Sequence, residues 1–389
     1  MKKSLLLALV FALAFAQTQT VARAADPYEI NVIIPLTGIG AFLGTNEATA
    51  LTLVEKNVNA AGGIHGRPIH FNVQDDQSNP QVAVQLLNGV IAKHVPMLLG
   101  STLAAMCGAM LPLVKDGPVD YCFSSAIYPP KGSYMFSGNI STKDLLAVNL
   151  RYFRERGWKK IALITTTDAS GQDGDRNADA LLALPENTGV SLTAHEHFNP
   201  GDVSVNAQMS RIKASGAQAL IVYAAGTPLG TVLHGALDVG LAIPMSTTTA
   251  NLSYNEMKQF SSVMPKELYF TGPPGVALDA IPNGPLKNAV RTFVNSTRAA
   301  GLHPDIGLLA AWDPALIMVA ALNKLGLDAT SAQIEDYIQN LHGWAGAYGI
   351  YDFRDGSQRG LAVNNGIVVR WDPAKDYWVA VSKFGGAPL

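Results

Sequence analysis

Ile30-Asn31-Val32-Ile33-Ile34-Pro35-Leu36-Thr37-Gly38 is the segment on which the fold turns. A short apolar run closed by Pro35 and a loop bearing Gly38, Gly40 and Gly44 reads as a buried parallel strand. Downstream, Ala48, Leu51, Val54 and Val58 recur at helical spacing until Gly62-Gly63 stops them. Residues 69–73 form the next strand, and Asn79-Pro80 is an N-cap followed by proline in the first turn of a helix over 82–92. A strand at 97–99, a helix over about 102–115 and a strand at 119–123 continue the alternation, the signature of a doubly wound α/β layer.

A second series starts near Leu145. It has a helix to Arg156, a strand at 161–165, a helix from about 175 to 184, and a helix marked by Val205, Met209 and Ile212. A strand at 219–223, a helix carrying Leu229, Leu233 and Leu237, and a strand at 243–246 complete it. The chain therefore writes two α/β layers in succession. Helical patterns follow at 286–299, 311–325 and 332–341, and β-rich segments at 348–353 and 366–371 end it.

At the amino terminus, Lys2 and Lys3 precede an apolar stretch over residues 5–16 and then Ala22-Arg23-Ala24, the pattern of a secretory signal peptide cleaved after Ala24. The stretch is shorter than the roughly 20 residues a spanning helix needs. The mature chain is expected in the periplasm, soluble and monomeric. With 389 residues, 48% hydrophobic and 15% charged, it can bury the cores of two domains. Its formal charge of −2 offers no footprint for nucleic acid. Cys107 and Cys122 are the two cysteines, in a helix and the following strand, and an oxidising compartment allows them to bridge.

Asn59-Ala60-Ala61-Gly62-Gly63-Ile64-His65-Gly66-Arg67-Pro68-Ile69, followed by Asp75-Asp76 and Pro80 and preceded by Pro35-Leu36-Thr37-Gly38, resembles the amino-acid-type periplasmic binding proteins of ABC importers, the Leu/Ile/Val-binding type. The resemblance covers essentially the whole mature chain. It implies a type I fold: two doubly wound α/β lobes joined by three hinge crossovers, near residues 139–142, 271–275 and 344–349. Lobe 1 would comprise residues 25–140 and 275–345, and lobe 2 residues 141–274 and 346–389. Ligand would be enclosed between the lobes, and the partner would be an ABC permease, or a receptor domain if the protein serves sensing. No cofactor and no metal are expected.

The loops that would reach such a cleft are 40–44, 101–104 and 124–128. Ser101, Thr102, Ser124 and Ser125 stand just after strand ends, where hydroxyls and backbone amides can hold a carboxylate; simple helix capping is the competing reading. In lobe 2, Thr247 occupies the position where amino-acid-binding relatives carry an acid for the ligand ammonium, and a buried ammonium without an anion is costly. Gly171, Gly226 and Leu43 fall near positions where those relatives carry aromatics. Phe42, Tyr128, Tyr223 and the segment Asp168-Ala169-Ser170-Gly171-Gln172-Asp173 suit a flat apolar body with a polar end, and Tyr223 reads equally as core. The latter segment and Tyr121-Cys122-Phe123-Ser124 resemble the branch that binds hydroxybenzoates and hydroxycinnamates. The expected contacts are therefore Ser101, Thr102, Ser124 and Ser125 for the carboxylate, Phe42, Leu43 and Tyr128 for the body, and Ser170, Gln172, Thr227 and Thr247 for the far end. Asp168 or Asp173 could instead supply an anion for an aliphatic, branched-chain amino acid.

Enzyme motifs find no support. The glycines at 38, 40 and 44 miss the GxGxxG spacing, and no GxSxG, HExxH or GxxxxGK[ST] occurs. His195-Glu196-His197 would place two imidazoles on one face of a strand without an evident third ligand.

Overall fold

The computed structural model describes residues 26–389, so the expected signal peptide lies outside the described residues. β1 (Tyr28–Ile34), β2 (Ile69–Asp75), β3 (Met97–Gly100), β4 (Val119–Cys122) and β5 (Met135–Ser137) form a parallel sheet in the order β2-β1-β3-β4-β5. β1 lies between β2 and β3 and is covered on both faces, which is why Val32, Ile33 and Ile34 are fully buried and read as an uninterrupted apolar run. α1 (Ala41–Ala60), α2 (Pro80–Ile91) and α3 (Ala104–Met110) make the crossovers. The side chain of Asn79 caps α2 by accepting the backbone N–H of Gln81 at 2.8 Å. The helix expected over 102–115 is shorter. It starts at Ala104 and passes into a 3₁₀ turn at Leu111–Val114, because Pro112 has no N–H to continue the ladder.

Cys107 and Cys122 form a disulfide that ties α3 to the end of β4. Closing a loop of 15 residues restricts the unfolded chain enough to contribute about 3 kcal/mol. The C107A/C122A double variant is therefore expected to lose about that much unfolding free energy in urea titrations; a loss below about 1 kcal/mol would show that the bridge constrains little.

The second half repeats the plan with α4 (Thr142–Glu155), β6 (Lys160–Thr166), α5 (Ala169–Leu182), β7 (Ser191–Phe198), α6 (Asn206–Ala214), β8 (Ala219–Tyr223), α7 (Thr227–Asp238), β9 (Met245–Thr247), α8 (Tyr254–Gln259) and β10 (Leu268–Gly272). Its parallel strands run β7-β6-β8-β9-β10, the same winding as the first sheet. α9 (Pro285–Ala299), α10 (Ile306–Leu325) and α11 (Ser331–Gln339) follow. α10 lies along α1; by length and composition it could cross a bilayer, but 83% of its apolar window is buried inside the fold. The hairpin β11 (His342–Ala345) and β12 (Ile350–Asp352) packs on the first half, with Tyr351 Oη donating to the Gly138 carbonyl at 3.3 Å. β13 (Ile367–Asp372) and β14 (Tyr377–Ala380) then extend the second sheet antiparallel from β10.

α5 begins six residues before the expected helix start at 175. Asp168 is its N-cap, accepting the Gly171 N–H at 2.9 Å, so Asp168-Ala169-Ser170-Gly171-Gln172-Asp173 is a cap and first turn rather than a loop. Serine and glycine, poor helix formers, hide that start in the sequence.

Candidate functional site

Both parallel sheets reverse direction of winding at a central pair, β1/β3 in the first and β6/β8 in the second. At such switch points the loops leaving the strand ends diverge and open a crevice. The cavity of about 230 Å³ sits there, lined by residues that follow β1, β3 and β4 on one side and β6, β8 and β9 on the other.

Glycine brings the helices close to the strand ends in the same way in both halves. A Cβ on Gly44 of α1 would lie 1.9 Å from the Pro35 carbonyl oxygen, and one on Gly171 of α5 would lie 1.8 Å from the Thr166 carbonyl oxygen. Gly171 therefore serves backbone packing and leaves no room for ligand. Gly226, with φ +70°, faces Phe42 across the cleft, and its Cβ would be 3.2 Å from the Phe42 ring. The space left at Gly226 is taken by Phe42.

Of the expected contacts, Phe42, Leu43, Thr102, Ser124, Ser125, Ser170 and Thr227 line the cavity. Ser101, Tyr128, Gln172 and Thr247 do not line it. Ser101 is fully buried and its hydroxyl donates to Asp76, while the Thr102 hydroxyl donates to Glu47. The two hydroxyl protons expected to meet a carboxylate are thus held by acids of the same half. Thr247 Oγ1 accepts from Asn251 Nδ2 at 2.6 Å, and Asn251 Oδ1 accepts the Gly226 N–H at 2.8 Å, so Thr247 braces the turn before α7. Gln172 is exposed and caps the Thr167 carbonyl at 2.9 Å. Tyr128 stands at the rim, where its Oη donates to Asp173 Oδ2 at 3.2 Å and accepts from Asn177 Nδ2 at 3.0 Å. That contact ties the first-half loop to α5. It also occupies Asp173, which is buried and raised above its ordinary pKa by that burial. Asp168 does reach the cavity wall. Tyr223 lines the cavity too, and its Oη donates to Thr142 Oγ1 at 2.9 Å.

Several lining groups escaped the sequence reading. Glu47 is fully buried on α1, and burial pushes its carboxyl up to about 8. Its Oε2 accepts from Thr102, and its Oε1 has no partner among the described residues. Asn139 Oδ1 and Thr248 Oγ1 are likewise buried at the wall without a partner. Unpaired buried polar atoms are rare unless a ligand or water meets them. Glu47 was findable, since it lies four and seven residues before Leu51 and Val54 and so heads the apolar stripe of α1.

Beneath the loop Ser124–Ile127 lies Arg359, buried except for 3% of its surface. Its guanidinium donates to Ser137 Oγ at 2.8 Å, to the Ser125 carbonyl at 3.3 Å, and to the carbonyls of Asn139 and Ile127. It also stands 5.5 Å over the Tyr128 ring. No Lys, Arg or His lines the cavity among the described residues. Rings at Phe42, Phe123 and Tyr223 and aliphatic groups at Leu43, Leu103, Met106 and Ile306 make up its apolar wall.

A family model described as "Periplasmic binding protein" matches residues 27–376. The leucine-, isoleucine-, valine-, threonine-, and alanine-binding protein of Pseudomonas aeruginosa is 25% identical over 59% of this chain and 62% of its own length, less than two thirds of that relative. Leu/Ile/Val-binding protein homolog 3 of Brucella melitensis is 25% identical over 84% of this chain and 88% of its own. Among solved structures, a periplasmic binding protein type 1 from Bordetella pertussis superposes with a TM-score of 0.79 at 19% identity, covering 94% of this chain and all of that one. A branched-chain amino acid transporter substrate binding protein from Streptococcus pneumoniae in complex with isoleucine gives 0.76 at 18% identity over 92% and 99% of the two chains. An ABC transporter solute binding protein from R. palustris in complex with benzoate gives 0.77 at 17% identity over 93% and 97%. At these identities the structures establish the type I fold.

Proposed function

The chain belongs to the periplasmic binding protein family, and from that premise we propose that it is the exported solute receptor of an ABC importer, closing on a small carboxylic acid with an aromatic body. The observation that carries the ligand class is the wall itself: three rings and aliphatic side chains surround a few hydroxyl, amide and carboxyl groups, with no side-chain cation. A flat apolar acid gains by desolvating its ring there and by hydrogen bonds at its polar ends. Its carboxylate would be held by the Ser125 hydroxyl and backbone N–H, the amides of Ser124 and Ala126 being taken by Cys122 Sγ and Ser124 Oγ; Phe42 and Tyr223 would flank the ring, and Ser170, Thr227 and Thr248 would meet the far end. The R. palustris neighbour with benzoate is consistent with this.

The lobes would hinge where the chain passes between the sheets. We place these crossings at residues 138–141, 273–277 and 361–366, the last downstream of the expected one because the Gln358 carbonyl still accepts from Ser137 N at 2.8 Å. Ligand that touches both halves biases the closed arrangement, and the Tyr128–Asp173 bond would be one of the contacts made on closing.

A second reading is favoured by one observation: Glu47 and Asp168 both line the cavity and either could face an ammonium. A branched-chain or other aliphatic amino acid is then the ligand, as the names of the curated relatives suggest for those proteins. A thermal-shift screen separates the two. Benzoates, hydroxybenzoates or cinnamates are expected to raise the melting temperature, since ligand at about 100 times its Kd adds about 2.7 kcal/mol to the folded state. Stabilisation by leucine or valine with none from any aromatic acid would replace the first reading by the second.

A further inference from the structure

β7 is the edge strand of the second sheet, paired with β6 on one side only. His195 and His197 are two apart on it, so their rings leave the same face, with centroids 4.6 Å apart and planes inclined by 37°. The third ligand missing from the sequence is supplied by α5. Asp175 Oδ1 lies 2.7 Å from His195 Nε2, and Asp175 Oδ2 lies 3.1 Å from His197 Nε2. The three ligand atoms fall within 4.8 Å of one another. The side chains keep 30%, 47% and 19% of their surface for His195, His197 and Asp175, so an ion can enter from solvent.

We propose that Asp175, His195 and His197 form a divalent transition-metal site, selective for zinc-like ions, outside the ligand cavity. Two imidazole nitrogens and one carboxylate oxygen are borderline donors that suit Zn²⁺, Cu²⁺ or Ni²⁺ and not the oxygen-seeking Mg²⁺ or Ca²⁺. Ligand bonds of about 2.0–2.1 Å in a tetrahedron separate donor atoms by roughly 3.3 Å. The 2.7 and 3.1 Å contacts, made to different Asp175 oxygens, need to open by up to about 0.6 Å as the ion replaces the bridging protons, and donor atoms up to 4.8 Å apart need to close by up to about 1.5 Å, rotations that exposed side chains can accommodate. Three protein ligands leave the fourth position to water. Arg211 pairs with Glu196 at 2.6 Å on the opposite face of β7 and leaves the imidazole face to the ion.

The site has a consequence for the cleft. Asp175 lies on the helix whose first turn carries Asp168, Ala169 and Ser170 at the cavity wall and Asp173 at the Tyr128 contact. An ion would fasten that helix to the sheet edge beside the cleft.

The test uses the tag-free mature chain, stripped with EDTA, and titrates Zn²⁺ and, as a spectroscopic probe, Co²⁺. One equivalent of Zn²⁺ is expected to bind and raise the melting temperature while Mg²⁺ leaves it unchanged, and Co²⁺ is expected to give the visible band of a four-coordinate site. H195A/H197A and D175N are each expected to weaken Zn²⁺ binding at least about tenfold. These side chains are partly exposed, so circular dichroism should show the variants folded. Equal Zn²⁺ binding by the double variant, or no stoichiometric binding by the parent chain, would overturn the site.

Discussion

Replacing Arg359 by methionine is expected to cost about 4 kcal/mol of stability and to weaken ligand binding at least tenfold. The guanidinium is buried and donates to four oxygens, on Ser125, Ile127, Ser137 and Asn139. Each buried acceptor left unpaired costs about 1–3 kcal/mol, less than additively because the loop can relax. Lysine should recover little, since an ammonium on a flexible stem cannot reproduce a planar fork. The binding loss follows from what those oxygens belong to. Ser125 and Asn139 both line the cavity, and Asn139 sits where the chain leaves the first sheet. One cation from the returning segment thus fixes a wall loop and a crossing together. Urea titration and calorimetry with the ligand found by thermal shift would check both effects; an R359M variant within about 1 kcal/mol of the parent would show the clasp to be dispensable.

The contrast between Arg359 and β1 explains how far sequence reading reaches. β1, β2, α2 and the two-layer alternation depend on local periodicity and on punctuation by Pro, Gly and Asn, all of which lie within a few residues of one another. The site depends on pairings across the chain. Thr102 loses its hydroxyl to Glu47, 55 residues away, and Ser101 loses its own to Asp76, 25 residues away. Arg359 reaches the Ser125 loop from 234 residues away. A hydroxyl after a strand end looks available in sequence whether or not a distant acid has taken it. Seven expected contacts nevertheless reach the cavity wall, because the strand ends that carry them were themselves legible. The third metal ligand, Asp175, was hidden for the same reason as the hydroxyls: a helix 20 residues upstream delivers it to His195.

Glu47 supplies the prediction that decides between ligand classes. Its carboxyl ionises at about 8 in the folded chain against 4.5 for the ordinary group, chiefly because burial disfavours the charge. Between those values the folded state holds a proton that the unfolded chain has released, so unfolding releases it and stability falls as pH rises through the window; above about 8 the dependence ends. E47Q should therefore show a flatter melting-temperature profile from about pH 5 to 8 than the parent, with a residual slope from other carboxyls that burial raises, among them Glu256 to about 8, Asp305 and Asp313 to about 6, and Asp120 well above its ordinary value. Ligand binding carries the sharper sign. Thr102 already donates to Oε2, so a neutral Glu47 can donate from Oε1 to an anion in the cavity, and ionisation would turn that donor into a repelling charge. Affinity for an aromatic acid should then hold level below about pH 8 and fall above it, by up to tenfold per pH unit at full coupling. An ammonium-bearing ligand would do the opposite, because it favours the ionised carboxylate: its affinity should climb as pH rises toward about 8 and level off above it. Calorimetry at about pH 6.5, 7.5 and 8.5 in buffers of different ionisation enthalpy counts the protons directly. E47Q should abolish either slope. A slope that persists in E47Q would remove Glu47 from the ligand's surroundings.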